Sequence, residues 1–149
     1  MPQDKARTAA LLTSPDDVEA QFYEALQNAD LDKLMAAWAE DEEIACVHPG
    51  GPRVVGYQAI RASFEAIFAN GAIPLQPQGV RRLHTLGCAV HHLAERVRIV
   101  DEQGSRNAWV LATNVYVKTA QGWRMVAHHA SPGGEGAEPA STETPSTLH

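Results

Sequence analysis

Long hydrophobic runs are missing from this chain. No stretch approaches the roughly 18 consecutive apolar residues a membrane-spanning helix requires. Near the start, Ala9–Leu12 is too short an apolar run for the hydrophobic segment of a secretion signal. Basic residues are scarce: 12 Lys and Arg face 18 Asp and Glu, for a net charge of −6 and a pI near 5.6. No basic cluster exceeds Arg81-Arg82, which argues against nucleic acid as a partner. Cysteine is limited to Cys46 and Cys88, inside strand-like segments and without CxxC spacing. That usage predicts two buried free thiols in a reducing cytoplasm. Nucleophile elbows, phosphate-cradling loops and dinucleotide fingerprints are absent, since Gly50-Gly51 sits between prolines after a short strand, the wrong context for any of them. What the chain does have is 44% apolar residues over 149 positions, enough for one domain with a real core.

Ser14-Pro15-Asp16-Asp17 is a helix start, with an N-cap serine, proline at the first helical position and carboxylates at the positive end of the dipole. Val18, Phe22, Ala25 and Leu26 then form one apolar stripe. Asp30 caps a second predicted helix in which Leu31, Leu34, Met35 and Trp38 share a face. The acidic run Glu40–Glu43 is unfavourable at a helix C-terminus, so the chain is expected to turn there, as a solvated acidic loop rather than as catalytic carboxylates. Ile44–His48 reads as a short strand ended by Pro49-Gly50-Gly51-Pro52, and Tyr57–Ala69 as a third helix stopped at Asn70-Gly71. Strands follow over Val80–Leu86, Ala89–Val100, Ala108–Lys118 and Trp123–Ala130. Three helices ahead of an antiparallel meander predict an α+β domain over residues 14–132, with helices on one face of a curved sheet. Residues 1–13 and 133–149 read as tails, the second too poor in apolar residues to order itself.

Polar residues at strand ends mark a candidate pocket. His48 shares a strand face with Ile44 and Cys46 and titrates near neutrality, which suits a general base. If Ala120-Gln121 is a two-residue hairpin loop, Asn114 faces Ala127 and His129 lies opposite Ala112. Ala112, Asn114, Tyr116 and His129 then share the cavity face, while Trp109, Leu111, Thr113, Val115 and His128 share the outer one. A one-residue slip or a bulge exchanges His129 for His128. Trp38 packs in the core and walls the pocket. Seven histidines invite a metal reading. However, His91-His92 and His128-His129 are adjacent pairs whose members point to opposite faces, and no carboxylate joins His48, His129 and one of His91 or His92 at ligand spacing. No metal is expected, and His84 reads as a surface group.

The segments FYEALQNADLDKLMAAWAED, HPGGPRVVGYQAI and ATNVYVKTAQGWRMVAHHAS together resemble the nuclear transport factor 2-like superfamily, in its SnoaL-like and ketosteroid isomerase-like branch. The last segment also resembles the association domain of calcium/calmodulin-dependent kinase II, at Thr113, Val115, Trp123, His129 and Ser131. The resemblance implies a cone-shaped, strongly curved antiparallel sheet closed by three helices, an internal pocket for a small apolar molecule, and a homodimer through the outer sheet face. It implies a cofactor-free isomerase, cyclase or dehydratase acting by proton abstraction on a carbonyl compound, or a non-catalytic binding or association module. In the first case His48 is the base, and Asn114, Tyr116 or His129 stabilises the enolate. Ketosteroid isomerases carry an oxyanion-hole tyrosine on the first helix. Phe22 aligns there, beside Tyr23, and His48-Pro49 stands where their base aspartate precedes a proline. Both departures argue against steroid isomerisation.

Overall fold

The computed structural model describes residues 12–134. Helix α1 spans Pro15–Asn28 and begins as the sequence predicts, with the Asp17 amide donating to Ser14 Oγ at 3.1 Å. It ends at Ala29, which takes a left-handed φ of 52°. Asp30 then caps α2, Leu31–Ala36, by accepting from the Lys33 amide at 3.1 Å. Helix α2 stops short of Trp38. The tryptophan instead forms an isolated parallel bridge to Met125, so it is not on the helical face that its spacing suggests. Strands β1 (Ala45–Val47) and β2 (Arg53–Val55) form a small hairpin, followed by α3, Tyr57–Phe68. Gly56 caps α3 with φ +98°, a backbone that a side chain strains. Its amide donates to Ile44 O at 2.8 Å, tying the helix start to the base of β1.

Four long strands complete the fold: β3 (Leu75–His84), β4 (Cys88–Asp101), β5 (Gly104–Thr119) and β6 (Gly122–Pro132). They form one open six-stranded sheet in the order β2-β1-β6-β5-β4-β3. All pairings are antiparallel except β1 with β6, which is parallel and aligns Cys46 with His128 and Val47 with His129. The α+β plan of helices on a curved sheet holds. The meander is longer at both ends than its apolar periodicity indicates, and β2 was not expected. The body also includes Leu12, assigned above to the tail: it is buried, and its carbonyl accepts from the Trp123 amide at 3.1 Å. The rest of the two tails lies outside the described residues, apart from Thr13, Gly133 and Gly134.

The core lies between α1 and the inner sheet face. Val18, Phe22, Tyr23, Ala25 and Leu26 of α1 meet Leu34, Met35, Trp38, Ile60, Phe64, Ala112, Tyr116, Met125 and Ala130. Each large apolar side chain buried here contributes about 1.5–3 kcal/mol. Among the described residues no helix is long and apolar enough to cross a membrane.

The β5–β6 hairpin closes as expected, Thr119 pairing with Gly122. The register then shifts between Val115 and Tyr116: Tyr116 pairs with Met125 but Val115 with Ala127. This extra residue on β6 is a bulge. It pairs Asn114 with His128 and Thr113 with His129, the exchange that a slip of one residue produces.

Candidate active site

Four polar side chains meet inside the sheet. The Tyr23 hydroxyl donates to Glu95 Oε2 at 2.7 Å, and Asn114 Nδ2 donates to the Tyr23 oxygen at 3.0 Å. Asn114 Oδ1 lies 2.5 Å from His128 Nδ1. Because the amide nitrogen of Asn114 is used as a donor, its oxygen accepts, and His128 carries its proton on Nδ1. His128 Nε2 thus presents a lone pair, 4.0 Å from Glu95 Oε2. All four residues are buried, at 5% exposure or less. The chain of donors runs one way, from His128 through Asn114 and Tyr23 to the carboxyl.

Burial sets the protonation of this cluster. It raises Glu95 to about 7 against the lowering effect of the Tyr23 hydrogen bond. Burial also lowers His128 to about 3, with the charges of His48 and His129 adding to it. The 4.0 Å contact between the two is therefore no ion pair: between about pH 3 and 7 both groups are uncharged, and outside that range only one of them is charged. Burial and the Glu95 charge raise the Tyr23 phenol well above its ordinary value, so it remains a donor. A carboxyl that titrates near pH 7 can both give and take a proton under ordinary conditions.

His48 sits at the end of β1, half-buried, and burial lowers its pKa. Its Nε2 is 3.0 Å from Ser63 Oγ, whose own hydrogen is donated to Ile60 O at 2.7 Å. The serine therefore accepts, Nε2 holds the His48 proton, and Nδ1 is left as the basic nitrogen. Cys46 Sγ lies 3.8 Å from Nε2, but burial and the Glu95 charge push the thiol up to about 12. This thiol is protonated and no nucleophile. An aromatic wall leads inward: His48 packs edge-on against Phe64 (4.8 Å between centroids), Phe64 against Phe22 (6.1 Å), and Phe22 against His128 (5.0 Å). Trp38 joins this wall through Phe22, and its Nε1 is the buried side-chain nitrogen or oxygen without a hydrogen-bond partner among the described residues.

Of the residues singled out from sequence, Asn114 and Tyr116 point inward, Trp38 is buried beside Phe22, and His48 stands at the outer end of the wall. His129 does not join them. The β6 bulge turns it to the outer face, where it is exposed and His128 takes the inner position. On that outer face His129 lines a shallow groove of about 400 Å³ with His92, Leu111 and Thr113. Tyr116 donates to Glu19 Oε2 at 2.9 Å rather than to Glu95. The carboxylates of Glu40–Glu43 are solvent-exposed. Cys46 is buried as expected, whereas Cys88 is only half-buried.

Sequence reasoning missed Tyr23 and Glu95. The alignment places Phe22 at the tyrosine position of the isomerases and so implies a lost phenol, but Tyr23 also points inward and supplies one. Glu95 had a legible signal. Along β4 the inward phase is Ala89, His91, Leu93 and Glu95, so a carboxylate falls where alternation calls for an apolar side chain.

The chain is 38% identical to a candidate calcium/calmodulin-dependent protein kinase type II association domain from Thiobacillus denitrificans (TM-score 0.74), covering 82% of this chain and 97% of that one. It is 28% identical to a candidate dehydratase of the NTF2-like family from Streptomyces avermitilis (TM-score 0.68), covering 77% and 91% of the two chains. An NTF2-like protein of unknown function from Pseudomonas putida shares the fold at 18% identity (TM-score 0.69), over 85% and 89%. No protein of curated function is significantly similar. The SnoaL-like domain matches residues 16–134, and the chain belongs to the SnoaL-like domain family.

Proposed function

We propose that this protein binds a small, mostly apolar carbonyl compound and moves a proton on it without a cofactor, as an isomerase, cyclase or dehydratase. The observation that carries this reading is the buried Glu95 carboxyl, held near pH 7 by desolvation while Tyr23 donates to it at 2.7 Å. Glu95 exchanges the proton while Tyr23 stays bonded to it, the second Nδ2 hydrogen of Asn114 is donated to developing oxyanion charge, and His48 Nδ1 is a second base at the outer end of the aromatic wall. Trp38 Nε1 offers a spare donor to a ligand oxygen, which is how a buried orphan N–H is satisfied. His128 replaces His129 in this scheme, and Tyr116 acts through Glu19. The candidate dehydratase at 28% identity supports the class of chemistry. The test is a thermal-shift and turnover screen of small ketones, enones and hydroxy-carbonyl compounds. Binding should survive in Glu95→Gln while turnover is lost. Full turnover in Glu95→Gln would reject the assignment.

A second reading, association of copies through the outer sheet face, is favoured by a separate observation. Leu111 is 46% exposed there beside half-buried Trp109, Thr113 and Val115. An apolar sheet face of this kind marks an interface, and the relative at 38% identity is described as an association domain. We read the protein as a cytoplasmic homodimer, with Cys46 and Cys88 as free thiols. The two readings are compatible, because the Glu95 cluster and this face lie on opposite sides of the sheet.

A further inference from the structure

A second set of polar side chains runs from the surface into the core at the first turn of α1. Glu19, 6% exposed, takes two hydrogen bonds on Oε2: one from the Tyr116 hydroxyl at 2.9 Å and one from His91 Nδ1 at 2.7 Å. His91 is fully buried, and its other nitrogen meets exposed His84, the two Nε2 atoms lying 2.9 Å apart. The ring planes are 12° from parallel with centroids 5.2 Å apart, so the nitrogens meet end to end and the faces do not stack. Asp16, bonded to Arg82 at 2.8 Å, adds a carboxylate: one ligand atom each from Asp16, Glu19 and His91 falls within 4.8 Å of the others.

The donor pattern follows from chemistry. A carboxylate only accepts, so His91 carries its proton on Nδ1 and presents the Nε2 lone pair outward. Histidines that ligate transition metals are held this way, with one nitrogen donating to a carboxylate so that the other is aimed and made more basic. Here the carboxylate is itself fixed by Tyr116, and the aimed nitrogen faces a second imidazole at the edge of solvent.

We propose that His84 and His91 bind a divalent transition ion of the zinc type through their Nε2 atoms, with Glu19 orienting His91 from behind and water filling the remaining positions. Two Zn–N bonds of about 2.0–2.1 Å at a tetrahedral angle separate the nitrogens by roughly 3.3 Å. The 2.9 Å gap therefore needs to open by a few tenths of an ångström, and because the two lone pairs face each other head-on, the exposed His84 ring also has to swing until both converge on one ion. His84 ends β3 beside the exposed Thr85–Gly87 turn, where the strand can give. The proton that His84 donates to His91 moves to His84 Nδ1, so both ligands bind as neutral imidazoles. A pair of imidazoles favours zinc, cobalt, nickel or copper over the hard cations, which take oxygen cages. Bound metal would clip the β3–β4 hairpin, whose His91 is tied to α1, at the far end of the β4 inner face from Glu95.

The experiment uses the full chain without a histidine tag. It is titrated with Co²⁺ and then Zn²⁺, following visible absorption and the imidazole nitrogens by long-range ¹H–¹⁵N correlation. One equivalent should saturate the site, and the Nε2 signals of His84 and His91 should shift. His84→Ala, a surface change whose folding is checked by circular dichroism, should weaken binding at least about tenfold. Glu19→Gln should weaken it by roughly ten- to a hundredfold. His129→Ala should leave it unchanged. The proposal is overturned if His84→Ala binds as tightly as the parent, if other histidines shift in place of His84 and His91, or if neither ion binds in the micromolar range. In any of those cases the pair simply shares a proton.

Discussion

Tyr23 and Glu95 stand 72 positions apart in the chain, yet the phenol donates to the carboxyl across 2.7 Å in the interior. Helix α1 lays Tyr23 over β4 where the inward phase of the strand presents Glu95. The contact does two things at once. It satisfies a buried acid that would otherwise lack a partner, and it opposes the burial that raises that acid to about 7.

Removing the phenol should show both effects. Tyr23→Phe takes a hydroxyl from Glu95 and from Asn114 together, so it should cost about 1–3 kcal/mol in chemical denaturation. The Glu95 titration, followed by carboxyl infrared absorption or ¹³C shift, should move upward. A downward move would mean that another donor controls the acid.

Glu95 should make stability depend on pH. Its folded pKa is raised, so the folded state holds the proton more tightly than the unfolded chain. Its stabilising share is full below about 4.5 and is lost as pH rises through about 7. That span is worth about 3 kcal/mol at most. Relative to the parent, Glu95→Gln should therefore gain stability at pH 8 and not at pH 4. Urea midpoints at the two values measure this, and an equal change at both would contradict it.

His128 should act with the opposite sign. Its folded pKa is lowered from 6.5 to about 3, so its share is present above 6.5 and is lost as pH falls toward 3. His128→Gln should flatten the acid limb of the stability profile while leaving the slope above pH 7 unchanged. If the acid limb is untouched, His128 is not held neutral in the fold.

The outer sheet face can be tested without disturbing the interior. Leu111→Glu places a charge among Trp109, Thr113 and Val115 on a residue already 46% exposed. Light scattering should then give a dimer mass for the parent and a monomer mass for the variant, with unchanged circular dichroism. A monomeric parent would end the association reading.

Gly122 offers a backbone test. It turns at φ +105°, and a Cβ there would lie 2.7 Å from Leu12 O, whose partner is the Trp123 amide. Gly122→Ala should cost about 1–3 kcal/mol or more, from strain and the displaced Leu12 segment. Thermal unfolding at parental temperature would mean that the N-terminal contact is dispensable.

Local signals were enough for most elements of this protein, though not for β2. Ser14 and Pro15 start α1, Asp30 starts α2, Asn70-Gly71 ends α3, and strict alternation in Ala112, Asn114 and Tyr116 assigns an inner face to β5, because caps, turns and two-residue periodicity act over a few neighbouring positions. The choice between His128 and His129 was not local. It depended on one extra residue in β6, a bulge absorbed by pairing with β5 on one side and β1 on the other, and nothing in the hairpin loop encodes it. Trp38 likewise continues the helical spacing of Leu34 but leaves the helix to bridge to Met125, because strand pairing outweighed one more turn. Glu95 was visible as a charge on an apolar phase. Its partner Tyr23, its desolvation and its neutral neighbour His128 exist only once α1 closes over the sheet, since the dielectric around a carboxyl belongs to the packed structure and not to the chain.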